Sequence, residues 1–141
     1  MFIPSEVYQA ILAALPLVPP EAGVVLGARD NRIAAFVVDT GIPKIDRAVY
    51  TPRTDYINQV IRQWHEKGIQ FCGLAHSHPF GQNSLSRSDI AYIHSIMKAL
   101  PASVAELYFP LVFPGREIIS FVAERRHNEI EIYRDNIIFI S

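Results

Sequence analysis

One apolar strand constrains the fold of this chain more than any other feature. The pattern predicts extended backbone over Ile69–Ser77, and its middle, Phe71-Cys72-Gly73-Leu74-Ala75, is apolar throughout. A strand that is apolar at every position has to be covered on both faces, which is typical of a central strand in an α/β sheet. The rest of the chain must therefore supply the helices that cover it.

Helical and extended patterns alternate up to this strand, and extended patterns dominate towards the C-terminus. Apolar spacing predicts helices over Pro4–Leu15, over Thr54–Lys67, and from Ser86 or Ser88 to Leu100, with Ser5 as a cap of the first. Strands are predicted at Gly23–Gly27, Ile33–Asp39, Glu106–Phe113, Glu117–Glu124 and Ile130–Ile140. We expect one α/β domain over residues 1–141, with a single mixed β-sheet flanked by helices.

Composition limits the classes of partner. Lys and Arg number 13 against 14 Asp and Glu, a formal charge of −1, which argues against a nucleic-acid partner. The single cysteine, Cys72, excludes an internal disulfide, suits a reducing compartment and is predicted to be buried and inert. Pro16 interrupts the apolar stretch Ile11–Val18, so we expect a cytoplasmic protein without a membrane span.

Two histidines end the apolar strand. His76 and His78 project from the same face, because side chains of a strand alternate. Asp89 falls in the first turn of the next helix, where the helix dipole favours an anion. Two imidazoles and one carboxylate suit zinc and leave a fourth position for water. The sequence thus predicts one Zn²⁺ held by His76, His78 and Asp89.

Each half of this motif also has an ordinary explanation. Ser86 and Asp89 fit a capped helix N-terminus, and a His-x-His pair alone occurs on many protein surfaces. Their joint spacing, after an apolar strand and before a helix, favours the metal site.

The residues His76-Ser77-His78-Pro79, Ser86 and Asp89 resemble the signature of the JAMM (MPN-plus, JAB-domain) zinc metalloproteases. The resemblance extends over nearly the whole chain, which is similar to the compact prokaryotic-type members. It implies a cytidine-deaminase-like JAB/MPN fold. It also implies hydrolysis of peptide or isopeptide bonds at the C-terminal tail of a ubiquitin-like or sulfur-carrier protein.

The same resemblance implies two catalytic residues. Glu21 corresponds to the family's general acid/base, whereas the rival carboxylates Glu6 and Glu66 fall in predicted amphipathic helices and are more simply solvated. Ser86 corresponds to the serine that helps to hold the oxyanion of the tetrahedral intermediate. Because one hydroxyl cannot easily serve both tasks, Ser88 is expected to cap the helix.

Two other function classes stay open. One is a non-catalytic MPN-type scaffold or interaction module, although such modules lose zinc ligands and this chain keeps all three. The other is a RadC-like protein of a DNA-related pathway, against which the near-neutral charge speaks. The sequence alone indicates neither which carrier protein is the substrate nor which oligomeric state the chain adopts.

Overall fold

The computed structural model describes residues 1–16, 22–41, 52–79 and 81–141. The described helices are α1 (Ser5–Ala14), α2 (Thr54–Glu66) and α3 (Arg87–Ala99). The described strands are β1 (Phe2–Pro4), β2 (Gly23–Arg29), β3 (Arg32–Asp39), β4 (Gln70–Ser77), β5 (Glu106–Tyr108), β6 (Leu111–Phe113), β7 (Glu117–Arg126), β8 (Glu129–Asp135) and β9 (Ile138–Ile140). The predicted α/β class is confirmed.

The apolar strand β4 lies inside a mixed sheet, as expected. It pairs antiparallel with β2 on one side and parallel with β5 and β6 on the other. Beyond these neighbours, β3 pairs with β2, while β7 pairs with β5, β6 and β8. The histidine end of β4 therefore lies between β2 and β6, where Gly23 is opposite His76 and His76 is beside Leu111.

Helices cover both faces of this sheet. On one face, Ile11, Leu12 and Leu15 of the α1 segment pack with Val24 and Ala75. On the other face, residues of α2 and α3 pack with Val25 and Leu74, and the buried helix residues are Ile57, Val60, Trp64, Ile93 and Met97. Because successive side chains of β2 and β4 point to opposite faces, the sheet has a separate apolar layer on each face. Within the described ranges, no helix has the length and apolar character needed to cross a membrane.

Three local expectations need correction. Ser5 does not cap α1, because the N-cap position is Pro4 and no side chain bonds the helix start. The predicted strand Glu106–Phe113 is divided at Pro110, which has no N–H to donate, and Phe109 N donates to Phe121 O at 2.7 Å. The predicted strand Ile130–Ile140 is divided into β8 and β9. Strand β9 leaves the main sheet and pairs in parallel with β1, which the sequence did not predict.

Tight turns explain why two hairpins close as they do. Asp30 and Asn31 join β2 to β3 with φ values of 55° and 62°. His127 and Asn128 join β7 to β8 with φ values of 48° and 67°. Two consecutive positive φ values are the signature of the type I′ turn, whose twist matches that of paired strands.

Candidate metal centre

His76 lies in strand β4, and His78 follows the last residue of this strand, at the edge of the α2/α3 layer. His76 N donates to Pro110 O at 3.2 Å, and His78 N donates to Val112 O at 2.9 Å. These hydrogen bonds hold the end of β4 against the β6 segment, and they position the backbone that carries both imidazoles. The rings lie edge to face, with centroids 4.7 Å apart and an interplanar angle of 72°. The strand thus presents both side chains to one point.

The N-terminus of α3 carries the carboxylate to the same point. Ser86 is the N-cap: its Oγ accepts a hydrogen bond from Asp89 N at 3.1 Å, and its own N–H donates to Asp89 Oδ2 at 2.9 Å. This reciprocal pair is a capping box with aspartate in place of the more common glutamate. It fixes the direction in which the Asp89 carboxylate leaves the helix.

The three predicted ligands meet at close range. His76 Nε2 lies 3.1 Å from Asp89 Oδ1, and His78 Nε2 lies 3.2 Å from Asp89 Oδ2. All three ligand atoms lie within 4.8 Å of one another. Among the residues that the structure describes, no other group of three His, Cys, Asp or Glu side chains meets in this way. The structure therefore brings together the ligand set that the spacing predicted.

A backbone carbonyl orients the imidazole of His78 through the ring nitrogen that faces away from the cluster. Its Nδ1 lies 3.2 Å from Gln82 O. Because a carbonyl can only accept, Nδ1 carries the hydrogen in this contact and Nε2 presents its lone pair to the cluster. A backbone carbonyl on the remote nitrogen is the usual partner of a metal-ligating histidine.

The imidazole of His76 supplies the clearest sign of a missing partner. Its Nε2 is buried, and although it lies 3.1 Å from Asp89 Oδ1 it makes no hydrogen bond of acceptable geometry with the described residues. Buried polar atoms are satisfied in nearly all native structures, so an orphaned ring nitrogen needs an explanation. A metal ion at the centre of the cluster would satisfy it.

The electrostatics of Asp89 also suit a cation. Burial opposes the ionisation of this carboxyl, but its contacts with His76 and His78 and the Ser86 N–H outweigh burial and hold the pKa of Asp89 well below its usual range. The carboxylate of Asp89 is thus negatively charged at ordinary pH, and it faces the ring nitrogens of His76 and His78.

Zinc fits these residues. Tetrahedral zinc with bonds of 2.0–2.2 Å places neighbouring ligand atoms about 3.3–3.6 Å apart. The observed separations of 3.1 and 3.2 Å, each to a different oxygen of Asp89, lie just below that range, and all three ligand atoms lie within 4.8 Å of one another. The donor set of two imidazoles and one carboxylate is typical of catalytic zinc sites.

The role expected for Ser88 is wrong. Ser86 caps α3, and it does so with its oxygen as an acceptor, which leaves the hydroxyl hydrogen available as a donor. Capping and donation to a substrate oxygen are therefore compatible in one side chain. Ser86 is exposed at the rim of the cluster.

The predicted base Glu21 lies outside the described residues. Ala22, which follows it in the sequence, is buried and bonded twice to Ser77: Ala22 N donates to Ser77 Oγ at 2.9 Å, and Ser77 N donates to Ala22 O at 2.9 Å. The rival carboxylates Glu6 and Glu66 are both exposed on helices, as expected.

Two residues of the ligand-bearing segment had no role in the predictions from sequence. Ser77 lies between the two histidines and bonds Ala22, and Gln82 O contacts His78 Nδ1. Position x of a His-x-His strand points away from the ligands, which was a usable signal for Ser77. Gln82 acts through its backbone carbonyl, so its side-chain type gave no signal at all.

Cys72 takes no part in the cluster. It is partly buried against the α1 layer, and burial raises the pKa of its thiol to about 12. A thiol with so high a pKa is a poor nucleophile and a poor ligand near neutrality. Cys72 is thus partly rather than fully buried, and its low reactivity stays a prediction.

Comparison with known proteins bears on the fold alone. No family model matches the sequence, and no curated protein matches it. A solution structure of a protein from Desulfitobacterium hafniense is similar, with a TM-score of 0.68 and 14% identity over 99% of this chain and 92% of that chain. A solution structure of a protein from Salinibacter ruber has a TM-score of 0.56 and 20% identity over the same shares, 99% and 92%. Both similarities support the α/β architecture.

Proposed function

We propose that this protein is a zinc-dependent hydrolase of the JAMM type, which cleaves peptide or isopeptide bonds at the C-terminal tail of a ubiquitin-like or sulfur-carrier protein. One observation carries the proposal: the Nε2 atoms of His76 and His78 lie 3.1 and 3.2 Å from the two oxygens of Asp89. This triad leaves one tetrahedral position for a reactant. The proposal includes the finer fold assignment, a cytidine-deaminase-like arrangement, which is in keeping with a mixed sheet between helices.

The ligands are held before any metal arrives. Gln82 O orients the His78 ring, and the Ser86 N–H orients the Asp89 carboxylate. Zinc bound there would supply Lewis acidity and lower the pKa of a water at its fourth position to about 7. The residues themselves contribute fixed geometry, which reduces the reorganisation needed when the metal binds.

Glu21 is the proposed carrier of the proton. Hydrolysis of an amide needs a base that takes a proton from the attacking water and an acid that gives one to the leaving amine. One carboxylate can perform both steps in turn. The two hydrogen bonds between Ala22 and Ser77 support this assignment, because they connect the residue after Glu21 to the residue between the two histidine ligands.

Ser86 is the proposed donor to the oxyanion. Its Oγ is fixed by Asp89 N, so the hydroxyl hydrogen can turn towards a substrate oxygen beside the Asp89 ligand. A donor aimed at the developing charge contributes about 2.7–4 kcal/mol in well-studied hydrolases.

An extended tail suits such a site. The main sheet ends in β3 and β8 among the described strands, and a flexible C-terminal peptide can add to a strand edge through main-chain hydrogen bonds. A narrow approach to the metal would favour glycine next to the scissile bond, as in a Gly-Gly tail.

A cleavage panel tests the proposal. Zinc-loaded protein is incubated with C-terminal fusions of ubiquitin, ubiquitin-like proteins and sulfur carriers, and products are identified by mass spectrometry. We expect cleavage after the tail of at least one carrier. Glu21→Gln should keep its zinc and lose the cleavage, whereas Glu6→Gln, an exposed carboxylate on α1, should retain it.

Three outcomes would overturn parts of the proposal. Near-normal turnover by Glu21→Gln would remove Glu21 as the base. Zinc-loaded protein that cleaves nothing in the panel but captures a carrier would favour the scaffold class. Salt-dependent binding to DNA would favour the DNA-related class instead.

A further inference from the structure

A second cleft lies on the α1 side of the sheet, near the start of β4. Its volume is about 550 Å³, which is typical of sites for small ligands. Phe2, Ile33, Cys72 and Tyr108 form its apolar part, and the last three also belong to the α1 layer. His76 lies near the other end of β4 and faces Asp89 of α3. The cleft is therefore separate from the candidate metal centre.

Two shifts of strand register meet at this cleft. Between β2 and β4, Leu26 is opposite Gly73 but Gly27 is opposite Phe71, so Cys72 has no partner in β2. The register between β2 and β3 shifts after the same Gly27. Irregularities of this kind are frequent beside functional sites, because they change the direction in which side chains point. The sheet thus departs from a regular ladder where the cleft opens.

Opposite charges line the two sides of the cleft. Arg32 begins β3 and Glu106 begins β5, and both side chains are exposed. Among the residues that the structure describes, neither side chain forms a hydrogen bond or an ion pair. Burial, together with the charge of Glu106, raises the pKa of the Tyr108 phenol to about 12. The phenol therefore keeps its proton and can donate a hydrogen bond inside the cleft.

The strand order sets the distance between these charges. Strands β2 and β4 lie between β3 and β5, so three strand spacings, about 14 Å in total, separate the backbones of Arg32 and Glu106. The two side chains can extend over the cleft and shorten this gap. The termini of an extended peptide of two or three residues are roughly 7–11 Å apart, since each residue spans about 3.3–3.6 Å. A ligand of that length fits between the two charges.

We propose that this cleft binds a short peptide of two or three residues that has free termini and an apolar side chain. The C-terminal carboxylate pairs with Arg32, and the N-terminal ammonium pairs with Glu106. The apolar side chain covers Phe2, an aromatic residue that is 45% exposed. Charge-assisted hydrogen bonds at both ends select for free termini, because a blocked terminus cannot form them. This site goes beyond the proposed hydrolase function and does not depend on it.

A peptide titration tests the proposal. Metal-free protein is titrated with the tripeptide Ala-Phe-Ala, and its amide signals are followed in ¹H–¹⁵N NMR spectra. We expect the amides of Cys72, Ser103 and Ala105 to shift and to saturate with a Kd of about 1 mM or lower. The same tripeptide with an acetylated N-terminus and an amidated C-terminus should bind at least about tenfold more weakly. Equal affinity of the two peptides, or no shift of these amides at about 5 mM free peptide, would overturn the proposal.

Variants that remove one charge assign each terminus. Arg32→Gln should weaken binding of Ala-Phe-Ala by about fivefold or more and should no longer distinguish a C-terminal acid from an amide. Glu106→Gln should show the same loss and should no longer distinguish a free from an acetylated N-terminus. Arg62→Gln and Glu66→Gln are matched controls, because both residues are exposed on α2, and they should leave Kd unchanged. If Arg32→Gln and Glu106→Gln bind as the controls do, the proposal is wrong.

Two further variants separate the cleft from the candidate metal centre, where a peptide carboxylate could also bind. Asp89→Ala and His78→Ala should bind Ala-Phe-Ala with the Kd of the wild type and shift the same amides. Loss of binding in both variants would assign the peptide to the metal centre and overturn the proposal. No arm of this test measures cleavage, so a failure of the proposed function leaves its outcome unchanged.

Discussion

Ser86 and Asp89 each bind the other's backbone amide: Ser86 N donates to Asp89 Oδ2 at 2.9 Å, and Asp89 N donates to Ser86 Oγ at 3.1 Å. The pair begins a helix and, with the same atoms, directs a carboxylate at two imidazoles. Capping of the helix and a ligand role for Asp89 are thus compatible in one segment. A helix N-terminus is also a favourable place for a negative ligand, because the dipole stabilises its charge.

Removal of the cap should separate these roles. Ser86→Ala loses the acceptor for Asp89 N, so we expect the free energy of unfolding to fall by about 0.5–2 kcal/mol. Ser88→Ala, an exposed serine in the same helical turn, should change it by less than about 0.5 kcal/mol. Urea denaturation of the metal-free proteins measures both values. Equal losses in the two variants would contradict the assignment of Ser86 as the N-cap.

The charge of Asp89 gives a prediction about pH. Its pKa is lowered in the folded protein, so its ionised form contributes stability that is fully present above the unfolded pKa, about 3.9, and is lost as the pH falls through the folded value. In metal-free protein, the stability difference between wild type and Asp89→Asn should therefore not shrink between pH 7 and about 4. Chemical denaturation at several pH values measures it. A difference that disappeared by pH 5 would mean that the carboxylate is not held in its charged form.

Cys72 should be unreactive in the native protein. Burial raises the pKa of its thiol to about 12, so almost no thiolate is present at pH 8. We expect iodoacetamide to label Cys72 slowly in native protein and rapidly in urea, as followed by intact mass. Cys72→Ala should keep its zinc. Fast labelling of the native protein together with zinc loss in Cys72→Ala would identify this cysteine as a ligand.

Gly73 permits the close approach of β4 and β5. A Cβ at this position would lie 2.1 Å from Tyr108 O, a backbone atom that cannot move away alone. We expect Gly73→Ala to lower the free energy of unfolding by about 1–3 kcal/mol, as other overpacked sites do. Gly68→Asn provides a control, because Gly68 has a φ of +73° and open space, which asparagine tolerates. Thermal and urea unfolding measure both; a neutral Gly73→Ala would show that the two strands can separate without cost.

Most of the architecture and the proximity of the candidate ligands could be predicted from the sequence, because both depend on short-range patterns. The apolar run around Leu74 required a central strand, and the His76–His78 spacing required a shared face, whatever the rest of the chain did. The pairing of β1 with β9 was not predictable, since three-residue strands at opposite ends of a chain have no local signal. The support from Gln82 O was equally hidden, because any residue supplies the same carbonyl.

The zinc content of the purified protein decides whether the His76, His78 and Asp89 cluster binds a metal. Protein purified without chelator from zinc-supplemented medium is analysed by elemental mass spectrometry, beside His78→Ala, Asp89→Ala and the control Asp55→Ala, whose exposed carboxylate lies in the first turn of α2. We expect about one equivalent of zinc in wild type and Asp55→Ala, and little in the two ligand variants, because each leaves only two protein ligands. Less than about half an equivalent in the wild type, or full zinc in Asp89→Ala, would contradict it.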